Sequence, residues 1–165
     1  MKKAVIVMGS ASDAPLAKEA LRTLARFGVP YAARVLSAHR SPDEAAAFAR
    51  EAAAEGCGVI IAFAGKAAHL AGVLAAHTIL PVIGVPVSAK DLGGLDALLS
   101  TVQMPGGVPV ASVSIDGAVN AALLAVRILA LGDDTLAEQL KKHARALAEK
   151  TAEADAALQK EIEAL

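Results

Sequence analysis

The amino-acid sequence predicts an α/β domain built on a doubly wound parallel sheet with helices on both faces. Two observations carry this. Short, continuously apolar runs such as Ala4 to Met8 and Val59 to Ala64 are what strands buried on both faces require. Such runs alternate five times with helical segments across short connections, as a three-layer fold demands.

The elements follow in order. The first strand, Ala4 to Met8, ends in Gly9-Ser10-Ala11-Ser12-Asp13, after which Pro15 opens an amphipathic helix with Leu16, Ala20, Leu24 and Phe27 inward, stopped by Gly28. Tyr31 to Ser37 reads as the second strand. Ser41, with Pro42 at the first helical position and Glu44 three residues on, has the form of a capping box, and this helix runs to about Glu55. After the third strand, Val59 to Ala64, a helix begins at Gly65 and extends to about Thr78. Val82 to Val87 is the fourth strand, interrupted by Gly84, and Ser88 to Gly94 is a polar loop before a short helix with Leu95, Leu98, Leu99 and Val102. Val110 to Ile115 is the fifth strand, and a helix from about Ala118 to Leu131 completes the unit. Right-handed crossovers leave few topologies, and a flavodoxin-like order of 2-1-3-4-5 suits this one best.

Residues 1–132 thus form the α/β unit, and residues 133–165 form a charged helical extension within a single-domain chain. Leu136, Leu140, Ala144, Leu147, Ala154 and Leu158 make one stripe on that helix, which could cover its own sheet but is expected to meet another subunit. His143, among Lys141, Lys142 and Arg145, is expected to be solvated.

Composition narrows the function. With 55% hydrophobic but 2% aromatic residues and no Trp, the core rests on Ala, Val, Ile and Leu. A net charge of −1 gives no footprint for nucleic acid and no polybasic membrane patch. The single cysteine, Cys57, excludes a disulfide framework and fits a reducing, cytoplasmic setting. The N-terminal apolar run is too short for a signal peptide, and no run approaches the ~20 apolar residues of a membrane span.

Three loops at the carboxyl edge of the sheet hold the chemistry, since that edge is where open parallel sheets bind ligands. Ser37-Ala38-His39-Arg40-Ser41-Pro42 sets a proton carrier beside an anion clamp. Ser10, Ser12 and Asp13 precede a helix N-terminus, a setting that suits phosphate. Gly65-Lys66-Ala67-Ala68-His69 is read as a second helix N-terminus, whose free amides suit a carboxylate. Each has a plain alternative: Asp13 as a cap, Arg40 on a surface carboxylate, His39 bonded locally, Lys66 exposed and His69 structural. His77 sits near the far end of that helix as a favourable charge. The loop after the first strand is neither Gly-x-Gly-x-x-Gly nor a Walker A motif. The histidines and Cys57 have no metal-ligand spacing. No Gly-x-Ser-x-Gly elbow is present.

Taken together, Met8 to Asp13, Ser37 to Pro42, Ala64 to Leu70, Leu99 to Val110 and Asn120 to Ala125 resemble the signatures of the N5-carboxyaminoimidazole ribonucleotide mutase (PurE) family of purine biosynthesis, in the right order from about residue 4 to 131. The resemblance implies a homo-octamer that needs no metal, ATP or organic cofactor and moves a carboxyl group from the exocyclic nitrogen to C4 of aminoimidazole ribonucleotide. It implies His39 and His69 as catalytic residues, with CO2 held near His69 between steps. It implies Ser10, Ser12, Asp13, Ser37, Arg40, Gly65, Lys66, Ala67 and Leu70 as substrate contacts. Ala14, Phe63, Lys66 and Ala71 depart from the pattern, which usually has a bulky residue, glycine, glycine and proline there. Phe63 and Lys66 are expected beside the carboxylate.

Other readings are a carboxylase using free CO2, whose branch usually lacks the His-Arg and Ala-Ala-His pairings, and a pyridinium carboxylase, which would carry an extra N-terminal domain. A non-catalytic nucleotide-binding module of flavodoxin-like or receiver type is the reading from another class. A receiver needs an acidic cluster after strand 1, where only Asp13 is acidic, and a phosphorylatable Asp after strand 3, where Phe63-Ala64-Gly65 stands. A flavin would normally stack on aromatic side chains, which are scarce here.

Overall fold

A computed structural model describes residues 1–165. Five parallel strands stand in the order β2-β1-β3-β4-β5: β1 is Lys3–Met8, β2 Tyr31–Val35, β3 Cys57–Gly65, β4 Val82–Val87 and β5 Ala111–Ser112. The helices are α1 Ala14–Arg26, α2 Pro42–Glu51, α3 Leu70–Ala76, α4 Leu95–Val102, α5 Ala118–Ala130 and α6 Asp134–Glu163.

Strand alternation divides the core in two. Ala4, Ile6 and Met8 of β1, with Val59, Ile61 and Phe63 of β3, face α1 and α5. Val5 and Val7, with Ile60 and Ala62, face α2 and α3. A one-residue slip would exchange these sets, so register and layering enforce each other. On the helices the partners are largely alanines: Ala17 and Ala20 on α1, Ala45 and Ala49 on α2, Ala121, Ala122 and Ala125 on α5. Each contributes little more than one methyl group, about 0.8 kcal/mol, so the core works by close approach over many contacts. Gly84 shows how close: a β-carbon there would stand 2.3 Å from Thr101 Cγ2 of α4.

Several elements differ from the sequence reading. Sheet pairing of β5 covers two residues instead of six. Pro86, whose carbonyl accepts from Asp116 N on that side, has no N–H to return to β5. Helix α2 stops at Glu51, and turns carry the chain through Gly56, at φ 80°, into β3. Helix α3 starts at Leu70, five residues later than Gly65, because Lys66 takes a left-handed φ of 57° that no α-helix contains. Phe63 also moves: it is fully buried against the α1–α5 layer, not beside the loops that follow β3.

Helix α6 begins inside the fold and leaves it. Asp133 caps it by accepting from Leu136 N at 3.1 Å, Leu136 is fully buried, and Leu140 packs on the same layer. His143 is half-buried rather than solvated, its ring edge-on to Phe27 at 5.7 Å between centroids. Beyond it Leu147, Leu158 and Ile162 are exposed. No helix is long and apolar enough to cross a membrane.

Candidate active site

Four loops at the carboxyl ends of β1 to β4 enclose a cavity of about 530 Å³, within the ~300–1,000 Å³ of small-ligand sites. It lies where the strand order reverses, between β1 and β3.

The first wall is a hydroxyl cluster. Ser10 caps a short 3-10 turn, Ala11–Asp13, its Oγ accepting from Ser12 N at 3.2 Å. Ser12 Oγ lies 2.8 Å from Ser10 Oγ and 3.3 Å from Asp13 Oδ1. Asp13 makes no side-chain cap to α1, contrary to the plain reading, and is 92% buried at the wall. That burial pushes its carboxyl above the usual range, against bonds from Ser12 and Ser10 and the charge of Arg40.

The second wall, after β2, is bonded to itself. Strand β2 ends at Val35, two residues early, because Ser37 turns inward to hold the loop. Ser41 Oγ accepts from Ser37 N at 3.0 Å and donates to Ser37 O at 3.2 Å. The hydroxyl is thereby spent, so the expected capping box does not form, and Ser41 makes no side-chain cap to α2. Ser37 Oγ in turn accepts from Arg40 N at 3.2 Å and stands 3.4 Å from Arg40 Nε. Arg40 Nη2 crosses to Gly9 O at 2.9 Å, tying the second wall to the first.

The third wall is Gly65, Lys66 and Ala67, with Leu70 buried at its base. These amides belong to a loop, not to a helix N-terminus, so the expected dipole is not theirs to use. The fourth wall is Val87, Ser88 and Ala89. Ser88 N donates to Asp116 Oδ1 at 2.9 Å.

Of the predicted catalytic and substrate-contact residues, all line this cavity except His69, which stands behind it. His69 reaches the site through His39: Nε2 of His39 and Nδ1 of His69 are 2.9 Å apart, the rings edge-to-face at 83°. One nitrogen must carry the proton and the other accept, so the pair shares a hydrogen across the mouth of the cavity. The first two walls present hydroxyls and a guanidinium, groups of the kind that bind anions, and the histidine pair stands beside them. Nowhere in the chain do three His, Cys, Asp or Glu side chains converge as a metal site would need.

Sequence reasoning missed Gly9 O as the acceptor for Arg40, and Asp91, whose Oδ2 pairs with Lys66 Nζ at 2.6 Å. It also missed the direct contact between the histidines. The last two pairs lie 25 and 30 residues apart in sequence, so no local signal announces either.

Known proteins share this sequence and this fold. Residues 3–150 match the family model described as AIR carboxylase. The chain is 53% identical over 148 residues to the N5-carboxyaminoimidazole ribonucleotide mutase of Pyrococcus horikoshii, covering 90% of this chain and 84% of that one. It is 53% identical over 155 residues to the mutase of Mycobacterium tuberculosis, covering 94% and 89%. The crystal structure of Treponema denticola PurE superposes with a TM-score of 0.85 at 32% identity, covering 93% and 96%.

Proposed function

This chain belongs to the AIR carboxylase family, and on that premise we propose that it is an N5-carboxyaminoimidazole ribonucleotide mutase of purine biosynthesis. One observation carries the reading: a histidine bonded to a second histidine shares a loop with an arginine that reaches Gly9 O, next to the Ser10–Asp13 turn.

Ser10, Ser12, Ser37 and Arg40 bind the phosphate, and Asp13 accepts from ribose hydroxyls. The heterocycle then lies toward His39. Breaking the bond from the exocyclic nitrogen to the carboxyl carbon leaves its electron pair on nitrogen, which takes a proton from His39. The imidazole, now electron-rich, attacks the retained CO2 through C4. The C4 proton passes to His39, the ring regains aromaticity, and the histidine ends as it began. An imidazole, whose ring nitrogens can both give and take a proton, suits both halves of that cycle. His69 fixes the imidazole and, with the amides around Gly65 and Ala67, holds the carboxylate or CO2. Lys66 and Leu70 complete that wall.

No step of this scheme draws on a metal, ATP or an organic cofactor. CO2 stays in place only in a closed, dry pocket, with residues 88–94 or a neighbouring chain as its lid. The exposed leucines of α6 meet other copies in a homo-octamer, where an apolar stripe finds cover. A lone buried thiol, Cys57, suits the cytoplasm.

The test is a direct assay. Purified protein should convert the N-carboxylated ribonucleotide and leave the plain ribonucleotide with bicarbonate nearly untouched. The opposite preference would make it a carboxylase using free CO2.

A further inference from the structure

Lysine is a costly choice at position 66. Its φ of 57° is one that glycine adopts freely and a β-carbon resists. The side chain gains little protection in return, being 68% exposed, and its one ion pair is with Asp91 at 2.6 Å. That bond holds the Asp91 carboxyl below its usual range and the Lys66 ammonium above its own.

The two partners are not equivalent. Lys66 lines the cavity, and Asp91, on the connection between β4 and α4, does not. The cavity's other fixed cation, Arg40, is already engaged with Gly9 O and Ser37 on the far wall. Lys66 is therefore the cation on the β3–α3 wall, and an ion pair this exposed is weak enough to exchange.

We propose that Lys66 determines specificity by gripping the carboxylate of the carboxylated ribonucleotide, with Asp91 as the internal carboxylate that the ligand displaces. This rests on the mutase reading above. One carboxylate replaces another, so the ammonium is paired in both the empty and the occupied site. Binding gains only the difference between the two, which leaves product free to depart. The uncarboxylated ribonucleotide leaves the Lys66–Asp91 pair intact and gains nothing from it.

Calorimetry on the whole protein with the plain ribonucleotide and its C4-carboxylated form tests this. Asparagine tolerates the left-handed region, so Lys66→Asn removes the charge without straining the loop. It should weaken the carboxylated ligand about ten-fold, the scale of a lost charged hydrogen bond, and leave the plain one unchanged. Lys66→Arg should restore the difference. Asp91→Asn, which removes the competitor, should tighten the carboxylated ligand alone by about two- to five-fold. If wild-type protein binds both ligands and Lys66→Asn shifts them equally or not at all, the role of Lys66 is overturned while the mutase reading stands. If wild-type protein binds neither, that reading falls first and takes this inference with it.

Discussion

The two sides of the cavity are built differently. The loops after β1 and β2 are cross-bonded: Ser10 to Ser12, Ser12 to Asp13, Ser41 to Ser37, Ser37 to Arg40 and Arg40 to Gly9. The loops after β3 and β4 meet side chain to side chain through one exposed ion pair, Lys66 to Asp91. One side is set before a ligand arrives, and the other has bonds it can exchange. Groups that are the same in substrate and product, phosphate and ribose, fit the fixed side. The carboxyl group changes position during the reaction and fits the adjustable one. The two histidines lie across the divide, His39 on the fixed side and His69 on the adjustable one.

Breaking that bridge should have the largest effect. His39→Asn removes the proton carrier and keeps a polar group on the bonded loop. The turnover number should fall by roughly 10³, within the range for a general acid–base, while ribonucleotide affinity measured by calorimetry stays near wild type. Turnover close to wild type would remove His39 from the chemistry and leave the bridge structural.

Cutting the fixed side should come next. Arg40→Ala takes away the charge and the tie to Gly9 O together. Affinity for both the carboxylated and the plain ribonucleotide should fall by about ten- to a hundred-fold, the scale of a lost charge-assisted bond. An equal loss for the two ligands is the signature of a phosphate contact. A loss confined to the carboxylated ligand would mean the sides have been assigned the wrong way round.

What the sequence made legible follows the same divide. The sheet order and the first two loops could be read because local chemistry decides them: apolar runs for buried strands, and Ser, Asp and Pro at a strand-to-helix turn. Even there Ser41 looked like a capping box, because the sequence cannot say which of two nearby acceptors or donors will claim a hydroxyl. The adjustable side was read less well. Alanine favours helix, so Gly65-Lys66-Ala67-Ala68-His69 resembled a helix start, whereas the left-handed Lys66 delays α3 to Leu70. Phe63 stands next to the β3 loop along the chain, yet strand alternation turns it into the core. Long-range pairs, Lys66 with Asp91 and His143 with Phe27, were out of reach of any local pattern.

The smallest effect sharpens the comparison most, because it asks what a preset wall costs the fold. Asp13 is held in a buried position where its charged form is disfavoured, chiefly by loss of water, so its folded pKa lies above the ordinary 3.8. Between 3.8 and that raised value the folded chain binds more protons than the unfolded one. Stability therefore falls as pH climbs through this window, and the penalty is fully present above it. Asp13→Asn carries no such penalty. At pH 7 its melting temperature should exceed wild type by roughly 1–3 °C for a chain of this size. The gap should close as pH drops through the folded pKa toward 3.8, where wild-type Asp13 is itself neutral. The same variant should bind ribonucleotide several-fold less well, having lost the charged acceptor for a ribose hydroxyl. Higher stability with weaker binding is what a side set in advance for its ligand implies. A variant that melts lower than wild type at pH 7 would mean that the bonds from Ser12 and Ser10, with Arg40 beside them, outweigh the burial of the charge. The fixed side would then stabilise the fold as well as the ligand.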